Sequence, residues 1–259
     1  MKLAIMQPYF FPYIGYFQLI AAVDKFIVYD NIKYTKKGWV NRNRMLQNDT
    51  DVLFTLPLKS DSHSLDIGER VLDADFNRNK LLSQFQNAYR RAPYYEQTFK
   101  LIEQIVLYED VNLFHFVCNS IVKICDYLDI KTKIKIASEV AVDHSLKNQD
   151  KVLALCKAVS ASSYVNAIGG MELYSDEVFQ ENRVDLRFIR SKAFQYRQFG
   201  NEFVPWLSII DVMMFNSVDV VKSQLTQFEL IGGYDGKQQD WNLEGGNNQE
   251  AARIAVYLK

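Results

Sequence analysis

The first thirty residues contain the pattern that most constrains the fold: a strand, a loop, a helix and a second strand. Residues 3–6 and 26–29 are short apolar runs typical of buried strands. Between them, residues 7–12 carry two prolines, and residues 13–23 have the apolar spacing of a helix. Strands joined through one helix pair in parallel with a right-handed crossover. The chain is therefore predicted to begin a parallel sheet.

The remaining sequence continues this alternation. Strands are predicted at 52–58, 133–138, 163–166 and 185–189, and helices at 76–89, 94–108, 112–128, 149–160 and 203–216. We expect an α/β fold with a mostly parallel sheet and flanking helices, Rossmann-like, with nucleotidyltransferase-type folds among the candidates. A helical block at about 76–129 is either an inserted domain or a cover for one face of the sheet. Residues 1–231 are predicted to form the α/β domain, and 232–259 a loop-rich tail with a short helix at 250–258.

Composition excludes several classes of protein. The 30 Lys and Arg against 31 Asp and Glu leave no strongly basic domain, so no nucleic acid is expected as the primary partner. Residues 3–23 are uncharged, but two prolines interrupt them, so no membrane span is predicted. Cys118, Cys125 and Cys156 lie in apolar, helix-like stretches. We interpret them as buried thiols in a reducing compartment, which predicts a cytoplasmic location.

The loop after the first strand is the first candidate for a binding site. Ligands of parallel sheets bind outside the carboxyl ends of the strands, and this loop occupies that position. We predict that Gln7, Tyr9, Tyr13 and Tyr16 contact the substrate. The alternative for these aromatic residues is packing in the core.

A basic segment follows the second predicted strand. Residues 33–44 contain five cations and no acid, interleaved with aromatic rings, which suits a ligand with a phosphate and a ring. The residues predicted to bind there are Lys36, Trp39, Asn41, Arg42, Asn43 and Arg44. A solvated hairpin is the alternative.

Further candidates are scattered along the chain. Gly169 and Gly170 follow a predicted strand, where glycines let a ligand approach the backbone. Asp211 lies in an apolar segment and needs a cationic or N–H partner, in a structural pair or in ligand binding. His144 follows a predicted strand end, and we predict it as a general base, with His63 as the second choice. No metal site is predicted, and dinucleotide, P-loop and nucleophile-elbow motifs are absent.

Four segments together resemble the WbqC-like family: residues 6–17, 39–44, 168–174 and 207–211. The resemblance extends from residue 2 to about 230. It implies a bacterial enzyme of O-antigen and lipopolysaccharide biosynthesis that transfers an aminoacyl (glycine-like) or acyl group to a nucleotide-linked amino sugar. It leaves the donor open between a free amino acid with ATP, a thioester and aminoacyl-tRNA, and it names no cofactor.

Two alternatives remain open. Adenylate-forming and nucleotidyl-transferring enzymes with a His-x-Gly-His loop are more loosely similar, but here the matching residues are Tyr13-Ile14-Gly15-Tyr16. Tyrosine is a poor base at neutral pH, but its ring can stack on a ligand and its hydroxyl can donate a hydrogen bond. Tyr13 therefore stays a candidate catalytic residue beside His144. The second alternative is a non-catalytic protein that binds a glycan precursor or a partner. A homodimer is the base-rate expectation.

Overall fold

The computed structural model describes residues 1–200 and 202–232, and its centre is a six-stranded sheet in the order β5-β2-β1-β6-β7-β8. The strands are β1 (Lys2–Met6), β2 (Lys25–Val28), β5 (Lys133–Ile136), β6 (Ser163–Ala167), β7 (Asp185–Ser191) and β8 (Phe228–Gly232). All neighbours pair in parallel except β8, which runs antiparallel to β7. The predicted α/β class with a mostly parallel sheet is confirmed. The helix predicted at 250–258 lies outside the described residues.

Helices cover both faces of the sheet. They are α1 (Ile14–Ala21), α2 (Arg78–Tyr89), α3 (Tyr95–Val106), α4 (Leu113–Tyr127), α5 (Asn148–Ala158), α6 (Asp176–Glu181), α7 (Ile209–Phe215) and α8 (Val218–Gln224). Short 3-10 helices lie at Ile67–Glu69, Ala137–Glu139 and Ile168–Leu173. A separate antiparallel hairpin is formed by β3 (Arg42–Gln47) and β4 (Thr50–Thr55).

Alternation along the strands divides the core into two layers. In β1, Leu3 and Ile5 belong to the layer that contains α5 and α6, whereas Ala4 and Met6 belong to the layer that contains α1 and α7. Successive strand side chains point to opposite faces, so continuous apolar strands are buried on both sides. The helical block α2–α4 packs into the same layer as α1 and α7.

The predicted helix at 203–216 is wrong in its first half. Helix α7 begins only at Ile209, where the Ser208 hydroxyl caps it by accepting a hydrogen bond from Ile210 N at 3.2 Å. Upstream, Pro205 and the left-handed Trp206, with φ of 62°, are incompatible with a continuous helix.

Residues 7–13 connect β1 to α1, and we call them the aromatic loop. This loop is anchored by hydrogen bonds to distant segments of the chain. Phe10 and Phe11 are fully buried. Asn43 Nδ2 donates to the Phe10 carbonyl at 3.2 Å, Ser208 Oγ donates to the Phe11 carbonyl at 2.7 Å, and Ile209 N donates to the Pro12 carbonyl at 2.9 Å. The loop therefore ties together the hairpin, the sheet and α7.

Candidate functional site

A cleft of about 1150 Å³ opens at the carboxyl ends of the parallel strands. The chain passes from β1 to β2 on one side and returns to β6 on the other, so the connections diverge beside β1. Open α/β sheets bind ligands at such a point. The ionisable side chains that line the cleft are Lys33, Asp66, His144, Lys147, Lys151 and Glu172, together with the tyrosines Tyr29 and Tyr174.

Strand alternation brings the strand ends into this cleft. Gln7 follows Ile5 by two residues and Tyr29 follows Ile27 by two, so both continue the side of the sheet that faces α5. The Tyr16 hydroxyl donates to the Gln7 carbonyl at 2.9 Å and fixes the start of the loop. Gln7 is thus the part of the aromatic loop that reaches the cleft.

A chain of three side chains lies along the cleft wall. Lys151 is only 5% exposed, and its Nζ donates to both the backbone carbonyl and Oδ1 of Asn31, each at 3.0 Å. The same ammonium stands 5.3 Å from the centroid of the Tyr29 ring. The Asn31 amide continues the chain to His144 Nδ1 at 2.9 Å.

This chain determines which nitrogen of His144 carries the proton. An ammonium only donates hydrogen bonds, so the atom of Asn31 that faces Lys151 is Oδ1, and Nδ2 faces the imidazole. The amide nitrogen also only donates, which makes His144 Nδ1 the acceptor and puts the proton of the neutral ring on Nε2. In this tautomer His144 offers the cleft a hydrogen-bond donor at Nε2, and its role as a general base stays a prediction.

Asp66 is the carboxyl group in the cleft with a perturbed pKa. Burial, and next the charge of Glu69, raise the pKa of Asp66 above its ordinary value, although the charge of Lys151 opposes this. Burial likewise lowers the pKa of Lys151, against the charges of Asp66 and Asp30. The cleft thus holds a carboxyl group whose pKa is raised, and a buried cation whose charge acts on it.

A second cavity, of about 540 Å³, lies beside the end of β7, and we call it the aromatic pocket. Its rings come from Tyr13, Phe194, Tyr196, Phe203 and Trp206. Tyr13 and Trp206 meet edge to face at 6.0 Å, and Tyr196 meets Phe203 at 5.1 Å. The aromatic loop therefore reaches the cleft at Gln7 and the aromatic pocket at Tyr13.

Asp211 is fully buried behind the aromatic pocket and holds one of its walls. Its carboxylate accepts hydrogen bonds from the hydroxyls of Tyr89 at 2.9 Å and Tyr196 at 2.6 Å, and from Gln198 Nε2 at 2.8 Å. Burial raises the pKa of Asp211 to about 6, although these three donors lower it. The expected partner is supplied by hydroxyl and amide donors, and we find no cation bonded to this carboxylate in the described part of the chain.

The other aromatic residues predicted for the site lie in the interior. Tyr9 and Tyr16 are each 3% exposed, with ring centroids 5.7 Å apart, and burial raises the pKa of both hydroxyls. Trp39 is 4% exposed. Packing in the core, the alternative for the two tyrosines, accounts for their positions, and Trp39 is likewise buried rather than solvated.

The basic segment reaches the cleft at Lys33, whereas the six residues predicted to bind a ligand there are not among the residues that line it. The guanidinium groups of Arg42 and Arg44 lie over the Trp39 ring, with their Cζ atoms 5.7 Å and 5.3 Å from the ring centroid. Arg44 pairs with Asp51 at 3.0 Å, and Arg42 donates to the carbonyls of the preceding turn. The side-chain amide of Asn41 donates to the Leu56 carbonyl, and that of Asn43 donates to the Phe10 carbonyl in the aromatic loop. Lys36 is exposed. Phosphate binding by these residues stays a prediction.

The glycine pair lies in the 3-10 helix that follows β6. A Cβ on Gly170 would stand 2.8 Å from Asn166 Nδ2, so this position needs glycine for close packing against the strand end. Asn166 Oδ1 accepts from Ala167 N at 2.8 Å. Gly169 lies beside Gly170, and ligand binding by either residue stays a prediction.

Sequence reasoning missed most residues of the cleft, among them Asn31, Asp66 and Lys151. Lys151 had a readable signal, because it precedes the buried Leu155 by four residues and so lies on the buried face of its helix. Asp66 and Asn31 lie in loops and meet Lys151 only through the fold, so neither had a local signal.

Several absences apply to the described residues alone. Within 1–200 and 202–232, there is no group of three or more His, Cys, Asp or Glu side chains that could hold a metal ion. In the same ranges, no helix has the length and apolar character needed to cross a membrane.

The three cysteines are poor nucleophiles, because burial raises the pKa of the Cys118 thiol to about 11 and that of the Cys125 and Cys156 thiols to about 12.

Together, the sheet, its divergent connections and the cleft define an α/β protein with a candidate ligand site at the carboxyl edge of a mostly parallel sheet. The model of the WbqC-like protein family matches residues 7–223, and the chain belongs to that family, as its motifs predicted. The uncharacterized protein Rv1507c of Mycobacterium tuberculosis is 29% identical over 219 residues, which cover 83% of this chain and 93% of that protein. No solved structure matches the chain significantly.

Proposed function

We propose that the protein is an acyl or aminoacyl transferase of bacterial surface-polysaccharide synthesis, with a nucleotide-linked amino sugar as its acceptor. The observation that carries this proposal is the cleft, which is lined by the Lys151–Asn31–His144 chain and by the half-buried carboxyl group of Asp66. Membership of the WbqC-like family supports the biological setting.

The charges of the cleft fit both parts of such an acceptor. Lys33, Lys147 and Lys151 provide positive charge for phosphate oxygens, and His144 Nε2–H adds a donor. Asp66 and Glu172 line the same cleft and suit the hydroxyls and the amine of the sugar. A polar cleft of this volume has room for a nucleotide-linked sugar.

The transfer itself exchanges one bond at the acyl carbon. The amine nitrogen of the sugar forms a bond to the acyl carbonyl carbon, and the bond from that carbon to the leaving oxygen or sulfur of the donor breaks with its electron pair. The amine loses one proton, which Asp66 accepts and passes to the leaving group. The raised pKa of Asp66 suits this role, because a general base works best when its pKa is nearer to the working pH. His144 donates to the developing oxyanion or to a phosphate oxygen.

The binding test uses UDP-glucosamine as the acceptor probe and UDP-glucose, which lacks the amine, as its matched control. A ligand at 100 times its Kd stabilises the folded state by about 2.7 kcal/mol, enough to raise the Tm of a chain this size by several degrees. We expect a larger rise with UDP-glucosamine than with UDP-glucose.

Paired variants connect binding to the cleft. Lys151→Met should remove most of the UDP-glucosamine effect, whereas Lys157→Met, on the exposed side of the same helix, should not. The second pair compares His144→Ala with His63→Ala, where His63 is an exposed histidine in a loop. Equal rises in Tm with UDP-glucosamine for the two variants of each pair would contradict the proposal.

Turnover is measured by mass spectrometry after incubation with UDP-glucosamine and each donor class: glycine with ATP, acetyl coenzyme A or glycyl-tRNA. An acylated sugar supports the transferase. Saturable UDP-glucosamine binding without product from any donor contradicts catalysis and favours the non-catalytic binding protein.

A further inference from the structure

We infer that the aromatic pocket binds the adenine ring of the acyl donor, an inference that rests on the proposed function for the role of the ligand. The pocket is separate from the cleft, and nothing in the reaction described so far uses it. Its volume of about 540 Å³ lies within the range of small-molecule sites.

The walls of the pocket are suited to a flat ring. Five aromatic side chains surround it, and their polar neighbours Lys192, Gln195 and Glu202 line the same cavity. Aromatic side chains bind nucleobases by stacking, because every base offers a π face. Lys192 supplies positive charge for a phosphate attached to such a base, and Gln195 offers hydrogen bonds to its edge.

The fold holds these walls in place without a ligand. A Cβ on Gly15 would collide with the Tyr13 ring, so the glycine leaves room for that ring over the start of α1. Tyr196 is fixed by its 2.6 Å bond to Asp211. Trp206 keeps a left-handed backbone, with φ of 62°, that non-glycine residues rarely adopt and that is enriched at ligand sites. Such preorganisation lowers the entropic cost of binding a rigid ring.

The position of the pocket assigns it to the donor. The cleft lies toward the layer of α5, whereas the pocket residues Tyr13, Phe194 and Trp206 pack against the layer of α1 and α7. The aromatic loop lies between the two cavities, with Gln7 in one and Tyr13 in the other. An acceptor in the cleft thus leaves the pocket for the second substrate.

The chemistry of activated acyl donors identifies the ring. ATP and the acyl adenylates made from it, coenzyme A thioesters, and the 3′ end of aminoacyl-tRNA all carry adenosine. The donor classes differ in the atom that leaves the acyl carbon, but all of them contain adenine. The adenine ring is therefore common to every donor class, although the distance from the base to the acyl carbon differs among them.

The test is AMP binding by isothermal titration calorimetry, with UMP and ribose 5-phosphate as matched probes. We expect the binding that depends on Tyr13 to be at least tenfold tighter for AMP than for UMP, and ribose 5-phosphate to bind there no more tightly than UMP. AMP should quench tryptophan fluorescence in the parent protein and not in Trp206→Phe.

Variants locate the bound ring. Tyr13→Ala should weaken AMP binding at least tenfold, as loss of a stacking partner does, whereas Tyr108→Ala, at an exposed tyrosine elsewhere, should change it less than twofold. Gly15→Ala, which displaces the Tyr13 ring and keeps its chemistry, should also weaken AMP binding. Circular dichroism and thermal unfolding verify that each variant is folded.

The outcomes separate this inference from the proposed function. Absence of AMP binding, UMP binding of equal affinity that Tyr13→Ala also removes, or AMP binding that survives Tyr13→Ala in a folded protein overturns the adenine pocket, even if UDP-glucosamine binds the cleft. AMP binding that depends on Tyr13 and persists in His144→Ala supports the pocket, even if UDP-glucosamine fails to bind and the proposed acceptor is wrong. Displacement of AMP by UDP-glucosamine would overturn the assignment to the donor.

Discussion

The buried carboxyl of Asp211 predicts an unusual pH dependence of stability. Its pKa is raised from 3.8 to about 6 in the folded protein, so the folded state holds this proton more tightly than the unfolded chain does. Ionisation of Asp211 therefore destabilises the folded state, by about 3 kcal/mol once the pH is above 6. That cost is relieved as the pH falls through the folded pKa toward 3.8.

The Asp211→Asn variant isolates this contribution, because an amide does not titrate. Between pH 7 and pH 5 the parent protein should gain about 1.3 kcal/mol relative to Asp211→Asn. Other carboxyl groups change the stability of both proteins equally, so they cancel in the difference. The assay is urea denaturation at pH 5, 6 and 7, with Asp75→Asn, at an exposed acid, as the control.

A difference between parent and Asp211→Asn that stays constant, or that shrinks toward pH 5, would refute the reasoning. It would mean that the three hydrogen-bond donors outweigh burial and that Asp211 is ionised without cost. The Asp75→Asn control should show no such trend.

Three further substitutions test the packing around the two cavities by thermal and denaturant unfolding. Tyr89→Phe removes the hydroxyl that accepts from Leu46 N at 2.8 Å, and a loss of about 1–3 kcal/mol is expected from the buried N–H left without a partner. Gly170→Ala places a Cβ 2.8 Å from Asn166 Nδ2 and should cost about 1 kcal/mol or more; an unchanged Tm would show that the strand end yields freely. Ser208→Ala loses both the cap of α7 and the bond to the aromatic loop, for which about 1–2 kcal/mol is expected, and a value near zero would mean that other contacts hold the loop.

Five of the six strands of the sheet were predicted from sequence, because they are short apolar or alternating runs that need no tertiary information, whereas β8 was not predicted. Residues 26–29 and 163–166 were placed within about one residue of β2 and β6. Strand β3 was missed, because Arg42–Gln47 has mixed polarity and was interpreted as a ligand-binding segment. Its pairing depends on the two-residue turn Asn48–Asp49, where both φ values are positive, at 51° and 58°.

The candidate site was harder to predict, because its residues are brought together by the topology. Gln7 and His144 were chosen for their positions after strands, and both line the cleft. Their roles depend on Asn31 and Lys151, which are 120 residues apart in the chain and have no local pattern linking them. Tyr9 and Tyr16 show the opposite failure, since aromatic residues look alike in sequence whether they pack or bind.

The anchoring of the aromatic loop also affects how the chain folds during synthesis. The Phe11 carbonyl is held by Ser208, 197 residues later, so the segment made first is among the last to be secured. At about 5–20 residues per second, a ribosome needs roughly 10–40 s to make the intervening chain. Throughout that time Phe10 and Phe11 lack part of their final surroundings. The nascent N-terminus is therefore an apolar segment that a chaperone has time to bind, and a chain cut short before Ser208 should leave the Phe11 carbonyl without this hydrogen bond.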